Sequence, residues 1–325
     1  MKITFYVNNR KKSFLRLLLF TFGYLKFFFL RKYYYDLTNF FKLIKYSGHI
    51  VVVECLDIGS KELGIDYKFY KNDFKFSKIA VVNSGIENLR FCIEQKKNNK
   101  ISFIVAGPNL VITPNDHNSI LSHELIDLVI TPSKWVSNFY SNLQPSLKNR
   151  ISEWYSGVDH KYWTDSRLRR NYITFYIKES NGPIINIDEY IKAANDYNYE
   201  IKLIKYNKYN NKEFKNILNK SLFLIYFVNQ ESQGLATAEA WSCNTPTLIW
   251  NNKKTNISGY DIESSCCPYL DSSCGDFFDN LNDFKNKLNS GIEKYKNYKP
   301  REWVLENMTY KISVKNLINL IKSKI

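Results

Sequence analysis

Short runs of β-branched and aromatic residues alternate with stretches of helical period along this chain, and the alternation stops and restarts once. The first series places strands at residues 3–7, 50–55, 79–82, 101–105, 128–131 and 151–154. Helices are expected between them at 37–46, 87–96, 119–125 and 135–143, with Ser133 as the N-cap of the last. The polar, basic stretch Asp165-Ser-Arg-Leu-Arg-Arg170 then reads as a linker. The second series places strands at 172–177, 200–204, 222–227 and 247–250, and helices at 187–197, 212–219, 235–242 and 277–290. A mostly helical segment, 303–325, ends the chain. Strands that alternate with helices form parallel sheets, because only a crossover helix returns the chain to the same edge. The expected fold is therefore α/β, with two doubly wound Rossmann-like domains facing across a cleft. The expected bounds are 1–165 and 166–302, with a C-terminal helix at 303–325 that packs back on the first domain. In open α/β sheets ligands bind at the carboxyl ends of the strands, so the cleft between two such domains is where chemistry belongs.

A chain of 325 residues, 44% hydrophobic and 16% aromatic, supplies two cores of ordinary size. Its net charge of +15 is uneven: residues 1–50 hold ten Lys/Arg against the single acid Asp36. A field this local points to an anionic surface, lipid headgroups or nucleic acid. The segment 14–30 is rich in Leu and Phe, yet its longest uncharged stretch runs only from Leu17 to Leu25, too short to span a bilayer. It reads either as a core helix or as an interfacial helix on a membrane. Cys55, Cys92, Cys243, Cys266, Cys267 and Cys274 contain no CxxC pair, and the adjacent Cys266 and Cys267 do not readily bridge each other. Cys55 and Cys92 lie in or beside apolar runs and read as buried thiols, and a reducing cytoplasm fits best, with peripheral contact to the cytoplasmic membrane face as the further option.

The most informative segment is Glu231-Ser-Gln-Gly-Leu-Ala-Thr-Ala-Glu239, which follows the apolar run 222–227 and precedes Pro246. It reads as a buried strand, a polar turn and a helix starting near Gly234. Free backbone amides from Gln233 to Leu235 would face outward at that helix start, where the macrodipole favours an anion such as a diphosphate. Gly234 lets the backbone approach closely. Two carboxylates flanking an anion site suit a ligand with hydroxyls at both ends and phosphates between, as in a nucleotide-sugar. An isolated pair of acids is more often a solvated turn residue and a helix-surface residue.

The residues between the two acids carry a resemblance. ESxGLxxxEAxxxxxP resembles the E-x7-E signature of retaining GT-B glycosyltransferases, in particular glycosyltransferase family 4. Ile130-Thr-Pro-Ser-Lys-Trp-Val136 looks like that family's strand-to-helix step. Glu153-Trp-Tyr-Ser-Gly-Val-Asp159 with Trp163 looks like the segment before its domain crossover, and Cys267-Pro-Tyr-Leu270 like its C-terminal part. The likeness spans about residues 101–325.

The resemblance implies an acceptor-side N-terminal domain and a nucleotide-sugar-binding C-terminal domain. It implies catalytic roles for Glu231, which would hold donor-sugar hydroxyls, for Lys178, which would neutralise the diphosphate, and for His117 in the loop after the 101–105 strand. Donor-binding roles fall to Glu239 on the ribose, to Ser232, Gln233, Gly234 and Leu235 at the helix start, and to Asn109. The family's second phosphate-binding cation has no counterpart at the usual spacing, and Lys178 as a plain solvated lysine stays open, as does His117 as a surface imidazole. His49, His123 and His160 have weaker claims. The family's Gly-Gly turn is replaced by Val7-Asn-Asn-Arg-Lys-Lys12, which leaves Asn8, Asn9 and Arg10 as acceptor-side candidates by position. Base recognition is expected near Lys205-Tyr206-Asn207.

The expected activity is transfer of a hexose-type sugar from a nucleotide-diphosphate donor to a glycan or lipid-linked acceptor, in surface polysaccharide or glycoconjugate synthesis. No metal constellation, P-loop or GxGxxG occurs, so no cofactor is expected and neither NTPase nor dehydrogenase chemistry has its fingerprint. Two alternatives stand beside it. One is a glycosyltransferase that modifies nucleic acid, which the placement of the charge beside an apolar segment disfavours. The other is a non-catalytic sugar-binding protein of the same fold.

Overall fold

The computed structural model describes residues 1–7, 48–70, 76–179 and 185–325. Asn8, Asn9 and Arg10, the apolar segment 14–30 and the helix expected at 37–46 lie outside the described residues. Among the described residues no helix is long and apolar enough to cross a membrane.

The first sheet is wholly parallel, in the order β2-β1-β3-β4-β5-β6. Its strands are β1 (Lys2–Tyr6), β2 (Asp66–Phe69), β3 (Ile79–Ser84), β4 (Phe103–Asn109), β5 (Leu128–Thr131) and β6 (Ile151–Glu153). The period of two sorts its side chains. Ile79 and Val81 face one core with Ile3, Phe5 and Val105, whereas Ala80 and Val82 face the other with Tyr6, Ile104 and Val129. The first core is covered by α1 (Gly48–Glu62), the second by α2 (Ile86–Lys97) and α3 (Lys134–Leu143).

The run 50–55 was expected as a strand and is instead the first half of α1. Its continuous Ile-Val-Val-Val fits either element. What decides is the helical spacing of the buried face Val51, Val52, Cys55, Leu56 and Gly59, which meets the C-terminal helix. The helix expected at 119–125 shrinks to a 3-10 turn, Ile120–Ser122, because His117, Asn118 and Ser119 take left-handed angles that break the spiral.

The second sheet has the order β13-β10-β9-β7-β8 and is also parallel. Its strands are β7 (Tyr172–Lys178), β8 (Glu200–Lys205), β9 (Ser221–Val228), β10 (Thr247–Trp250) and β13 (Gly275–Phe278). One face packs Phe175, Phe223, Phe227 and Leu248 against α4 (Asp188–Ala194) and α7 (Leu281–Glu293). The other packs Tyr176, Leu224, Tyr226 and Ile249 against α5 (Asn211–Lys220), α6 (Leu235–Ser242) and α8 (Pro300–Asn307). The helix expected at 277–290 begins later than predicted, since Phe277 and Phe278 close the sheet as β13 and Asn280 caps α7.

Between β10 and β13 a hairpin, β11 (Lys254–Ile257) and β12 (Tyr260–Glu263), reaches across to the first domain. Ile257 and Ile262 join the core around α3, and the rings of Tyr260 and Phe139 lie 6.2 Å apart. The last helix, α9 (Tyr310–Lys322), is separated from α8 at Met308 and Thr309. It lays Val314, Leu317, Ile318 and Ile321 on the first sheet beside α1. All six cysteines are buried free thiols.

Candidate active site

In the second sheet the chain builds outward from β7 to β8, then returns to lay β9 on the other side of β7. The carboxyl ends of β7 and β9 therefore flank a crevice where successive helices leave on opposite faces, the usual ligand position in such sheets. Lys178, the last residue of β7, is in register with Val228, the last of β9. Three residues on, Glu231 turns back over the crevice, and its Oε1 meets the Lys178 Nζ at 2.7 Å. The side chains are only 19% and 12% exposed, which removes the reading of Lys178 as a freely solvated lysine. Tyr226 donates its hydroxyl to the same Oε1 at 3.0 Å. Oε2 of Glu231 takes no partner among the described residues. The Lys178 ammonium also lies 5.0 Å from the ring centroid of Tyr206, whose side chain belongs to the loop expected to meet a base.

The backbone of the turn is fixed from both domains. The Glu231 N–H donates to Ser265 O at 2.9 Å, and its carbonyl accepts from the Trp135 indole of α3, across the cleft, at 2.9 Å. The Gln233 side chain is spent within the protein, while the donor contact expected at this position is with backbone amides. Its amide accepts from Ser156 N at 2.9 Å and donates to Ser156 O at 2.6 Å, a two-point clamp onto the crossover segment. Ser232 is exposed at the tip. Gly234 follows with φ 87°, where a Cβ would sit 2.9 Å from the Thr237 Oγ1. A side chain is disfavoured there on both counts.

Helix α6 then begins with neither a side-chain cap nor an acid in its first turn. Its leading amides keep their donors and the positive end of the dipole unneutralised. Glu239 lies one turn further in, half-buried and without a hydrogen bond or ion pair among the described residues. Burial pushes its carboxyl up to about 8. The Tyr209 hydroxyl is held above its usual range by burial and then by the charge of Glu239, and it pairs with the Tyr176 hydroxyl at 3.1 Å. A half-buried carboxylate with no donor among the described residues is a costly arrangement unless a ligand with hydroxyls completes it.

The segments 132–136, 153–159 and 267–270, scattered along the sequence, meet around this turn. Tyr269 donates to Pro132 O at 2.6 Å, and its ring lies 4.6 Å from that of Tyr155. Gly157 passes so close to Thr309 that a Cβ would come within 2.5 Å of its carbonyl. Ser133 holds the expected N-cap position in extended conformation, but its hydroxyl makes no capping bond and is buried without a partner among the described residues.

Lys178, Glu231, Gly234, Leu235 and Glu239 are thus brought together, and two other candidates are not. His117 is exposed on the turn after β4, and no hydrogen bond joins it to the 231–239 segment. Asn109, at the end of β4, donates to Asn83 Oδ1 at 3.2 Å on the neighbouring strand, so it belongs to the first domain's own strand ends. Sequence reasoning missed Tyr226, Ser156 and Asn83. Of these only Tyr226 left a trace, as a phenol inside the otherwise apolar run Leu222-Phe-Leu-Ile-Tyr-Phe-Val228.

Comparison with solved structures agrees with this architecture. The chain is similar over its whole length to the apo form of the lipopolysaccharide outer core galactosyltransferase WaaB. Identity there is 14%, with 100% of both chains covered and a TM-score of 0.57. A glycosyltransferase from Rickettsia africae ESF-5 is similar at 11% identity, covering 99% of this chain and 98% of that one, with a TM-score of 0.54. At such identities the likeness establishes the fold, which is the GT-B arrangement of two Rossmann-like domains. No family model matches the chain, and no curated protein sequence matches it.

Proposed function

We propose that this chain is a retaining glycosyltransferase that moves a hexose from a nucleotide-diphosphate donor to a glycan or lipid-linked acceptor. The observation that carries the reading is the pairing of Lys178 with Glu231 at the crevice of the second sheet, beside an uncapped helix start and Glu239, which has no partner among the described residues. These groups match the three parts of one ligand. The Glu239 carboxylate accepts from ribose hydroxyls, the α6 amides and Lys178 face the diphosphate, and Oε2 of Glu231, unpaired among the described residues, accepts from the hydroxyls of the transferred sugar. The GT-B fold shared with two glycosyltransferases supports it.

In the reaction, the bond between the sugar C1 and the terminal phosphate oxygen breaks, and the nucleoside diphosphate leaves with the electron pair. An acceptor hydroxyl oxygen bonds to C1 on the face just vacated, and its proton passes to the departing phosphate oxygen. No protein base is then required. Lys178 and the helix dipole stabilise the charge that grows on the phosphate, an electrostatic contribution that is worth most in a water-poor crevice. The glycan acceptor enters from the first domain, where the half-buried Asn109 ends β4 and donates to the buried Asn83 of β3. The acceptor class draws support from the lipopolysaccharide substrate in the name of the similar galactosyltransferase.

The test is release of nucleoside diphosphate from a panel of UDP-, GDP- and ADP-sugars in the presence of glycan acceptors, for the wild type and for Glu231→Ala. The reading requires turnover by the wild type and at least a hundredfold loss in the variant, about the cost of a misplaced reacting sugar. Wild-type rates in Glu231→Ala would sink it.

A further inference from the structure

We propose that Tyr226 is the positioning residue that keeps Glu231 aimed at the donor sugar while Lys178 is occupied by the diphosphate. The proposal rests on the donor site described above and adds a residue to it. Lys178 and Tyr226 both bind Oε1 of Glu231, at 2.7 and 3.0 Å, and leave Oε2 open. Of the two, only Lys178 has another task. A diphosphate is the stronger competitor for its ammonium, because it offers two negative charges against one. Once Lys178 turns to it, the Tyr226 hydroxyl is, among the described residues, the side-chain hydrogen bond that still fixes the carboxylate.

The surroundings of Tyr226 suit such a fixed strut. It lies on β9 and is 1% exposed. Its ring is stacked on Tyr176 with centroids 4.9 Å apart and planes at 23°, and it faces the core that α6 covers. Burial and then the charge of Glu231 hold its hydroxyl well above the usual phenol range, so it keeps the proton that it donates. A phenylalanine would satisfy the packing of this position as well as a tyrosine does. The hydroxyl is explained by the carboxylate it meets, since a buried phenol needs a partner at its polar tip.

Glu231 contacts the sugar and not the nucleotide, so the consequence is selective. The experiment is calorimetric titration of the wild type, Tyr226→Phe and Thr174→Val with UDP-glucose and UDP, GDP-mannose and GDP, and ADP-glucose and ADP. Thr174 is a control, a buried hydroxyl of the same sheet that pairs with the Ser221 hydroxyl at 2.7 Å, away from the crevice. For the pair that the wild type binds, Tyr226→Phe should weaken the nucleotide-sugar about tenfold, the worth of one hydrogen bond to a charged group. It should change the free diphosphate less than about twofold. Thr174→Val should lower the thermal midpoint and leave both constants alone. Equal weakening of sugar and diphosphate in Tyr226→Phe, or no change in either, overturns the role of Tyr226 while the donor site stands. If the wild type binds none of the six compounds, the donor site itself falls and this role with it.

Discussion

Glu239 is a half-buried carboxyl that meets no donor among the described residues, and its replacement by glutamine separates what the residue costs the fold from what it does for a ligand. Its carboxyl is displaced by burial from an ordinary value of 4.5 to about 8. Below pH 4.5 the folded and unfolded chains both carry the proton and the residue costs nothing. Between 4.5 and about 8 the unfolded chain releases a proton that the folded chain keeps, so stability falls as pH rises. Above that window the penalty is constant.

One pKa unit is worth about 1.4 kcal/mol, which sets a ceiling of about 5 kcal/mol for the whole displacement. Glu239 is half-buried, and water at the carboxylate brings the figure down to about 2 kcal/mol. Glu239→Gln keeps the shape and removes the charge. Its thermal midpoint should exceed that of the wild type by about 3 °C at pH 8.5, with the two curves merging near pH 4.5. The assay is a pair of melting profiles across that range. A midpoint difference independent of pH, or one that shrinks as pH rises, would refute the reasoning.

Lys178→Met leaves the Glu231 carboxylate with Tyr226 alone in a site that is 12% exposed, and should cost about 2 kcal/mol in denaturant unfolding while sharply weakening any nucleoside diphosphate in calorimetry. Gly234→Ala places a Cβ at φ 87° and 2.9 Å from the Thr237 Oγ1, so unfolding should show a loss of about 1–2 kcal/mol. Trp135→Phe removes the indole donor to the Glu231 carbonyl across the cleft. It should lower stability by about 1 kcal/mol and speed proteolytic cleavage between the two sheets.

The strand–helix alternation was readable where the pattern had one meaning. In β3 the neighbours Ile79 and Ala80 are sorted to opposite cores by the period of two, and the segment from Glu231 to Glu239 announced its strand, turn and helix through Gly234 and the flanking acids. Where a run had two meanings, tertiary packing decided. Val51, Val52 and Cys55 became helical because α9 lies across them, and that partner is more than two hundred and fifty residues away in sequence. The β11–β12 hairpin has polar strands, and its one local signal is Ser258-Gly259, both at positive φ, the signature of a tight hairpin turn. The clamp of Gln233 on Ser156 and the strut of Tyr226 under Glu231 are products of packing. No spacing rule foretells an amide that meets a backbone 77 residues away.

Residues 231–239, with Lys178, form the proposed donor site for a nucleotide-sugar. The most direct measurement is a thermal-shift screen of the wild type and Glu239→Gln against UDP-, GDP-, ADP- and CMP-sugars at pH 7.5. One family of donors should raise the wild-type midpoint by several degrees, as a ligand at a hundredfold excess over its Kd contributes about 2.7 kcal/mol. The same donors should leave Glu239→Gln nearly unmoved. No shift with any donor, or an equal shift in the variant, contradicts the account.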